Sequence, residues 1–341
     1  MRAAIYNPYL DTLGGGERYT IFAALAFVKA GYRVDIEWPE AEIKQKLEKR
    51  FGIDLSEINF VADIKRGDGY DLCFWVSDGS IPNLKARKNL LHFQVPFRSV
   101  NGKNLINKMK LFRISKIICN SYFTKQIIDS EYGVDSLVIY PPVDVSKMRP
   151  KKKEDLIIYV GRFSELVQAK RQDVLISAFK KFYDAGNNSW KLIIAGGVEV
   201  GVGSFLKRLK KSKEGYPIEI MESPDFKTLK ELYSKARIFW SAVGFGVNEI
   251  KNPERVEHFG ISLVEAMAAG VVPIVYKAGG YKEIVKENEN GFFWEKQFRL
   301  MAITKKLIAD RKLERKLSQG ARRDSEIFSN ERFENEILQI V

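Results

Sequence analysis

The sequence predicts an α/β fold built as two doubly wound halves, each a parallel sheet with helices on both faces. Three observations predict it. Apolar runs of strand length alternate with helical segments along the whole chain. That rhythm breaks once, at Pro141-Pro142 and the charged run 147–155 (KMRPKKKED), and then restarts. The length, 341 residues, suits two domains at ~100–200 residues each.

In the first half, residues 2–7 read as an apolar strand. A glycine turn at Gly14-Gly15-Gly16 opens a helix over 17–30, and Gly31 is suited to end it in the left-handed conformation. A strand over 32–37 and a polar helix over 41–50 follow. The runs 71–76 and 89–93 read as buried strands. Strand 116–120 leads into helix 122–132, and 137–140 is a last short strand. In the second half, strand 156–160 ends in Gly161, helix 172–185 follows, and strand 191–195 ends in Gly196-Gly197. Next come strand 218–221, helix 225–235, strand 238–241, helix 260–269, strand 272–276 and helix 281–287. Residues 297–328 are helical and very basic, and 331–341 is a final amphipathic helix. The expected domains are therefore 1–145 and 155–322, with 323–341 a C-terminal helix packing back on the first domain. Open parallel sheets bind ligands at the carboxyl ends of their strands, so two facing halves are expected to hold chemistry in the cleft between them.

Composition narrows the function. At 45% hydrophobic and 29% charged residues the chain is ordinarily globular. Two cysteines are too few for a disulfide scaffold. Cys73 and Cys119 sit in apolar runs and read as buried thiols. With only two histidines beside them, a His/Cys metal cluster is excluded. No apolar run approaches the ~20 residues of a spanning helix. MRAAIYNPY lacks the apolar core of a signal peptide. A cytoplasmic protein is expected, soluble or peripheral on the inner face of the membrane. Net charge is +13. Residues 79–128 contain no acid and ten bases: Lys85, Arg87, Lys88, Arg98, Lys103, Lys108, Lys110, Arg113, Lys116 and Lys125. Such a single-sign field attracts phosphates or anionic lipid headgroups, or is simply a solvated face. No stacking platform or reader motif points to nucleic acid.

Three constellations carry chemistry. Gly14-Gly15-Gly16-Glu17-Arg18 follows a strand and opens a helix, where backbone N–H groups favour an anion. It has neither the dinucleotide fingerprint nor the Walker spacing, and a tight turn explains it equally well. Gly161-Arg162-Phe163 ends a strand, with Lys170-Arg171 soon after. Arg as a fork and Lys as a point charge can meet one diphosphate, or both can be surface charge. Finally, Glu257 and Glu265 lie eight residues apart in EHFGISLVEAMAAG, one before a glycine turn and one inside a helix. Two carboxylates so placed can hold opposite ends of one ligand through its hydroxyls. Glu265, among apolar neighbours, needs a partner to offset its desolvation.

The E-x7-E run EHFGISLVEAMAAGVVPIV resembles the signature of family 4 glycosyltransferases, the retaining GT-B type. GGGER, NSYFT at 120–124, YPPVD at 140–144, GRFSE at 161–165 and Ala278-Gly279-Gly280 are similar to that family's other pieces, so the resemblance spans the chain. NPYLDTLGGGERY and WSAVGFGVNEIKNPERVEHFG resemble the α-1,2-mannosyltransferases that extend the dolichol-linked core oligosaccharide, and their prokaryotic relatives. The resemblance implies a GT-B fold of two Rossmann-like domains, acceptor in 1–145 and nucleotide-sugar donor in 155–322. It implies Arg162, Lys170, Glu257 and His92 as catalytic candidates, and Gly15, Gly16, Gly161, Phe259, Gly260, Ile261 and Glu265 as donor-binding candidates. In it Glu265 binds ribose hydroxyls and Glu257 binds sugar hydroxyls. Phe259, Gly260 and Ile261 supply backbone contacts, while Arg162 and Lys170 neutralise the diphosphate. Gly15 and Gly16 approach the phosphate from the other domain. His92 lies near the donor sugar in that resemblance; read alone, it is a satisfied core histidine.

Two departures stand out. Arg162 and Lys170 are eight residues apart, longer than the family's usual spacing, so Gln168 or Arg171 can share the lysine's role. His258 stands where a small residue is common, and the loop 244–256 is long. The expected activity is transfer of a hexose, mannose from GDP-mannose, to a glycan or lipid-linked oligosaccharide. A UDP-sugar donor or a GT-B epimerase is the alternative. No Asp-x-Asp motif is present, so neither metal nor other cofactor is expected. The basic stretch 79–128 is expected to contact anionic membrane.

Overall fold

The computed structural model describes every residue except Ala41, Leu166, Val167 and Val200. The chain divides into two compact units, Met1–Pro142 with Phe328–Val341, and Val143–Ile327.

In the first unit the order is β1 (Arg2–Tyr6), α1 (Gly15–Lys29), β2 (Arg33–Glu37), α2 (Ile43–Phe51), β3 (Ile58–Val61), β4 (Leu72–Val76), β5 (Lys88–Phe93), α3 (Leu105–Leu111), β6 (Lys116–Cys119), α4 (Tyr122–Tyr132) and β7 (Leu137–Val138). The sheet order is β3-β2-β1-β4-β5-β6-β7, parallel throughout. The strand period of two sorts the core. Ala3, Ile5, Leu72 and Phe74 pack with Tyr19, Ala23 and Phe27 of α1. Ala4 and Cys73 face the other side, with Ile64 and Leu84. Both faces are covered, so the strands read as continuous apolar runs. Cys73 and Cys119 are free and buried, and burial pushes both thiols up to about 12.

The second unit runs β8 (Leu156–Val160), α5 (Gln172–Asp184), β9 (Lys191–Gly196), α6 (Gly203–Ser212), β10 (Ile218–Glu222), α7 (Phe226–Lys235), β11 (Ile238–Ser241), α8 (Ile261–Ala268), β12 (Val272–Tyr276), α9 (Tyr281–Ile284), β13 (Phe292–Trp294), α10 (Gln297–Ala309) and α11 (Arg311–Ser325). Its parallel sheet is ordered β10-β9-β8-β11-β12-β13. The strand order reverses between β8 and β11, which places the switch point at the ends of those strands. Arg237, 3% exposed in its side chain, grips Glu314 through Nε at 2.8 Å and Nη2 at 2.6 Å, and also binds Asp155.

The final helix, α12 (Asn330–Leu338), belongs to the first unit. Phe333 and Ile337 complete the core around α1, and Arg332 Nη2 donates to Tyr140 O at 3.0 Å.

Several expectations are corrected. The run 147–155 is no free linker. Lys151 N donates to Ser234 O, Glu154 N to Lys235 O and Lys153 Nζ to Ala269 O at 2.7 Å. The Lys153 ammonium, which also donates to Tyr233 O at 3.4 Å, thus meets the carbonyl-rich ends of α7 and α8, where cations are favoured. Burial lowers Lys153 to about 8. The helical stretch 297–328 breaks at Asp310, whose carboxylate caps α11 by accepting from Lys312 N and Leu313 N, each at 3.0 Å. Four elements were not expected. The short strands β3 and β13 lie at sheet edges, α6 opens on Gly203-Ser204, and α3 buries no residue and so shows no core stripe. The expected helix over 41–50 begins in the structure at Ile43; Ala41 lies outside the described residues. Among the described residues no helix is long and apolar enough to cross a membrane.

Candidate active site

The switch point of the second unit gathers most of the predicted residues. β8 ends at Val160, and Gly161 follows at a distance only glycines allow. A Cβ on Gly196 would lie 2.0 Å from Gly161 O, and one on Gly161 2.4 Å from the Tyr159 hydroxyl oxygen. Arg162 next projects into solvent and makes no ion pair with any described residue. Its carbonyl accepts from Gln172 Nε2 at 2.9 Å, which ties the strand end to the first residue of α5.

Lys170, just before that helix, is 9% exposed. Its ammonium donates to Glu257 Oε2 at 3.0 Å and to Gln168 Oε1 at 2.5 Å. Gln168 in turn donates through Nε2 to Val256 O at 2.5 Å, so it braces the lysine against the Glu257 loop. Arg171 turns elsewhere: it pairs with Asp173 and donates through Nη1 to Phe245 O at 2.8 Å. Of the two expected substitutes, Gln168 therefore shares the lysine's surroundings and Arg171 anchors the long loop. That loop is pinned at its far side, where Glu249 accepts from Gly279 N at 2.8 Å and from Lys282 Nζ at 2.6 Å.

Glu257 is fixed from behind. Its carbonyl accepts from Gly280 N at 2.7 Å, and a Cβ on Gly280 would lie 2.4 Å from His258 O. Gly260 then adopts φ +122°, and a Cβ there would lie 2.7 Å from the Tyr281 ring. Only glycine suits that conformation, and it lets α8 start at Ile261 with its first N–H groups outward. Phe259 is buried beneath the turn. Glu265 sits one turn into α8 and accepts from the Tyr233 hydroxyl at 3.1 Å. Tyr159, Tyr233 and Tyr281 are buried together behind the two carboxylates. Burial raises all three phenols well above their ordinary value, and the charges of Glu257 and Glu265 add to it. Tyr233 gave little signal in the sequence, since its role comes from a partner 32 positions away, whereas Gln168 was a candidate whose partner, 88 positions away, only the structure shows.

This arrangement offers two cations, a helix N-terminus and two carboxylates, one on the loop before α8 and one a turn inside it. Chemically it can hold an anion and the hydroxyls on either side of it. Among the described residues no group of three His, Cys, Asp or Glu side chains could hold a metal ion.

In the first unit, Gly15 and Gly16 are the first residues of α1, beyond the carboxyl end of β1. Gly14 N and the Thr12 hydroxyl both donate to Glu17 Oε2 at 2.7 Å, which folds the turn. A Cβ on Gly16 would lie 1.8 Å from Gln94 Oε1, so Gln94, not singled out in the sequence, is the side chain beside this loop. His92 is a correction. It is 0% exposed on β5, stacked on Tyr19 at 4.0 Å, with Nδ1 3.2 Å from Ile118 O and Nε2 unpartnered. Burial lowers it to about 3, so the ring is a neutral core residue that reaches no ligand-accessible surface. It is enclosed because the sheet is covered on this face, where Tyr19 of α1 and Phe74 of β4 stack on the ring, while Gln94, beyond the end of β5, is the side chain beside the glycine turn.

Comparison with known proteins gives the family and the fold. Residues 143–324 match the family model "Glycosyl transferases group 1". The chain is 26% identical over 286 residues to the Dictyostelium discoideum GDP-Man:Man(3)GlcNAc(2)-PP-Dol alpha-1,2-mannosyltransferase, covering 71% of this chain and 54% of that protein. It is 30% identical to the Xenopus tropicalis protein of the same name, covering 59% and 42%. The chain thus spans about half the length of the curated relatives it matches. The structure of Anabaena HepE in complex with UDP-glucose superposes with a TM-score of 0.78 at 17% identity, covering 99% of this chain and 98% of that one. The chain belongs to the group 1 glycosyltransferases and has their GT-B fold of two Rossmann-like α/β domains.

Proposed function

We propose that this glycosyltransferase moves a mannosyl residue from GDP-mannose to a glycan or lipid-linked oligosaccharide, with retention of configuration and without a metal. The observation that carries it is the braced Lys170–Glu257 pair at the mouth of α8, with Glu265 one turn further on. The names of the relatives support mannose, GDP and a dolichol-linked acceptor.

In this reading Glu265 receives the ribose hydroxyls and Glu257 the sugar hydroxyls. Phe259, Gly260 and Ile261 present backbone to the sugar and phosphate beside Gly161. Breaking the glycosidic bond leaves an oxocarbenium-like centre and a diphosphate carrying the extra charge. Arg162 and Lys170 neutralise that charge, Lys170 as a donor already held by Gln168 and Glu257, the role a metal fills elsewhere. The acceptor hydroxyl attacks on the face the phosphate leaves, and its proton passes to the departing phosphate oxygen. Glu257 binds and is no nucleophile. Before the donor arrives, Lys170 is neutralised by Glu257; the phosphate takes over the ammonium and frees the carboxylate for sugar hydroxyls. Gly15 and Gly16 offer a second set of N–H groups to phosphate. A lipid-bound acceptor places the protein peripherally on the inner face of a membrane.

Calorimetry with GDP, UDP, GDP-mannose and UDP-glucose tests this, with Glu265→Ala beside the wild type. Guanosine binding lost in the variant is expected. A uridine preference keeps a transferase and discards mannose. Turnover of donor without acceptor points to an epimerase. Turnover lost in chelator and restored by magnesium or manganese removes the metal-free step.

A further inference from the structure

Helix α3 exposes what a soluble helix normally hides. Leu105, Ile106, Met109 and Phe112 are 73%, 66%, 63% and 91% exposed. Their spacing puts all four on one arc of the helix. The helix is seated from the opposite side, where Leu111 packs against the cluster of Phe93, Ile128 and Tyr132. Asn104 caps it by accepting from Asn107 N at 2.7 Å. Scattered apolar side chains on a surface are ordinary; a contiguous set of four marks an interaction site. Around this set stand the exposed Lys103, Lys108 and Arg113 and the half-buried Lys110. No acid occurs from 79 to 128.

An apolar ridge whose own segment carries only positive charge fits a partner that is apolar inside and anionic at its rim. A second copy of this chain fits poorly. A two-fold pairing through α3 would bring each set of lysines against its equal, with no acid in residues 79–128 to offset it. We propose that α3 is a membrane-insertion element. Leu105, Ile106, Met109 and Phe112 enter the acyl boundary of an anionic leaflet, and the surrounding lysines meet headgroup phosphates. The proposal rests on the reading of a lipid-bound acceptor and supplies the side chains by which the protein reaches that surface.

Sedimentation of the whole chain with vesicles tests it, using phosphatidylcholine alone and with about one-third phosphatidylserine, at about 0.05 and 0.5 M salt. Preference for anionic vesicles is expected, weakened about fivefold by each of Lys108→Gln and Lys103→Gln at low salt. The triple variant Ile106→Ser, Met109→Ser, Phe112→Ser is expected to lose at least about tenfold at both salts, since apolar insertion is not screened. Phe298→Ser, 59% exposed in the second unit, is expected to change nothing. Phe112→Trp is expected to shift its emission to the blue and be quenched by brominated acyl chains on anionic vesicles only. The inference is overturned by equal binding to both vesicle types, or by a triple variant that binds as wild type does. It is likewise overturned if Phe298→Ser loses as much, or if the triple variant only turns a dimer into a monomer. Nucleotide calorimetry on the same samples separates the two readings. Nucleotide binding without vesicle binding removes α3's role alone; vesicle binding without nucleotide binding removes the transferase reading alone.

Discussion

Replacing His92 by Phe tests whether this histidine is a core residue or a group that meets substrate. In the folded protein burial holds the imidazole neutral down to about 3, against an ordinary value of 6.5. A depressed folded value means that the unfolded chain takes up a proton the folded one refuses. The resulting stability is fully present above pH 6.5 and is lost as pH falls towards 3. The slope approaches ~1.4 kcal/mol per pH unit, and integration from pH 7 to 5 gives a loss of about 2 kcal/mol. His92→Phe keeps the stacking on Tyr19 and Phe74 and lacks the titration. It loses the bond to Ile118 O, about 1 kcal/mol. The variant should therefore be about 1 kcal/mol less stable at pH 7, gain about 2 kcal/mol on wild type between pH 7 and 5, and end about 1 kcal/mol the more stable at pH 5. Urea midpoints of both proteins at the two pH values measure this, because carboxylates common to both cancel in the difference. Parallel pH dependence of the two proteins refutes the reasoning. So does an imidazole signal titrating near its ordinary value, assigned by comparison with His258→Asn. A His92 that touched substrate would instead abolish turnover while leaving the pH dependence of stability alone.

Gly260→Ala must hold φ +122° and place a methyl 2.7 Å from Tyr281; strain of ~1–3 kcal/mol is expected, read as a drop of several degrees in Tm together with weakened nucleotide binding. Lys170→Gln and Glu257→Gln should each lower turnover by about 10²-fold or more, and the double variant should lose less than the product of the two, since the pair acts as a unit; strictly multiplicative losses in steady-state assays would sink that view. Arg237→Met leaves Glu314, half-buried and still paired with Arg311, without its fork and should destabilise the second unit by about 1–3 kcal/mol, measured by denaturation, with nucleotide affinity unaltered in protein that remains folded.

Much of this protein was legible in its residues because the signals are local. Strand 156–160, helix 122–132, strand 238–241 and strand 272–276 stand in the structure at the residues the apolar periodicity marks. Gly260 and Glu265 were legible as a turn and a helical carboxylate for the same reason. The edge strands β3 and β13 and the solvent-facing α3 were not, since an element that buries little leaves little pattern.

What the sequence by itself determined is the two-part α/β rhythm, the glycine-ended strands and the glycine turn that precedes helix α8. Those follow from side-chain period and backbone permissiveness, which act within a few residues. Only the tertiary structure decided which side chains meet. It set Gln168 between Lys170 and Val256, Tyr233 under Glu265, Lys153 on two helix ends and Phe333 in the first unit's core. It also turned His92 inward and left Gln94 beside the glycine turn. Such pairings join residues tens to hundreds of positions apart. They are fixed by how whole strands and helices pack, and no local pattern encodes that.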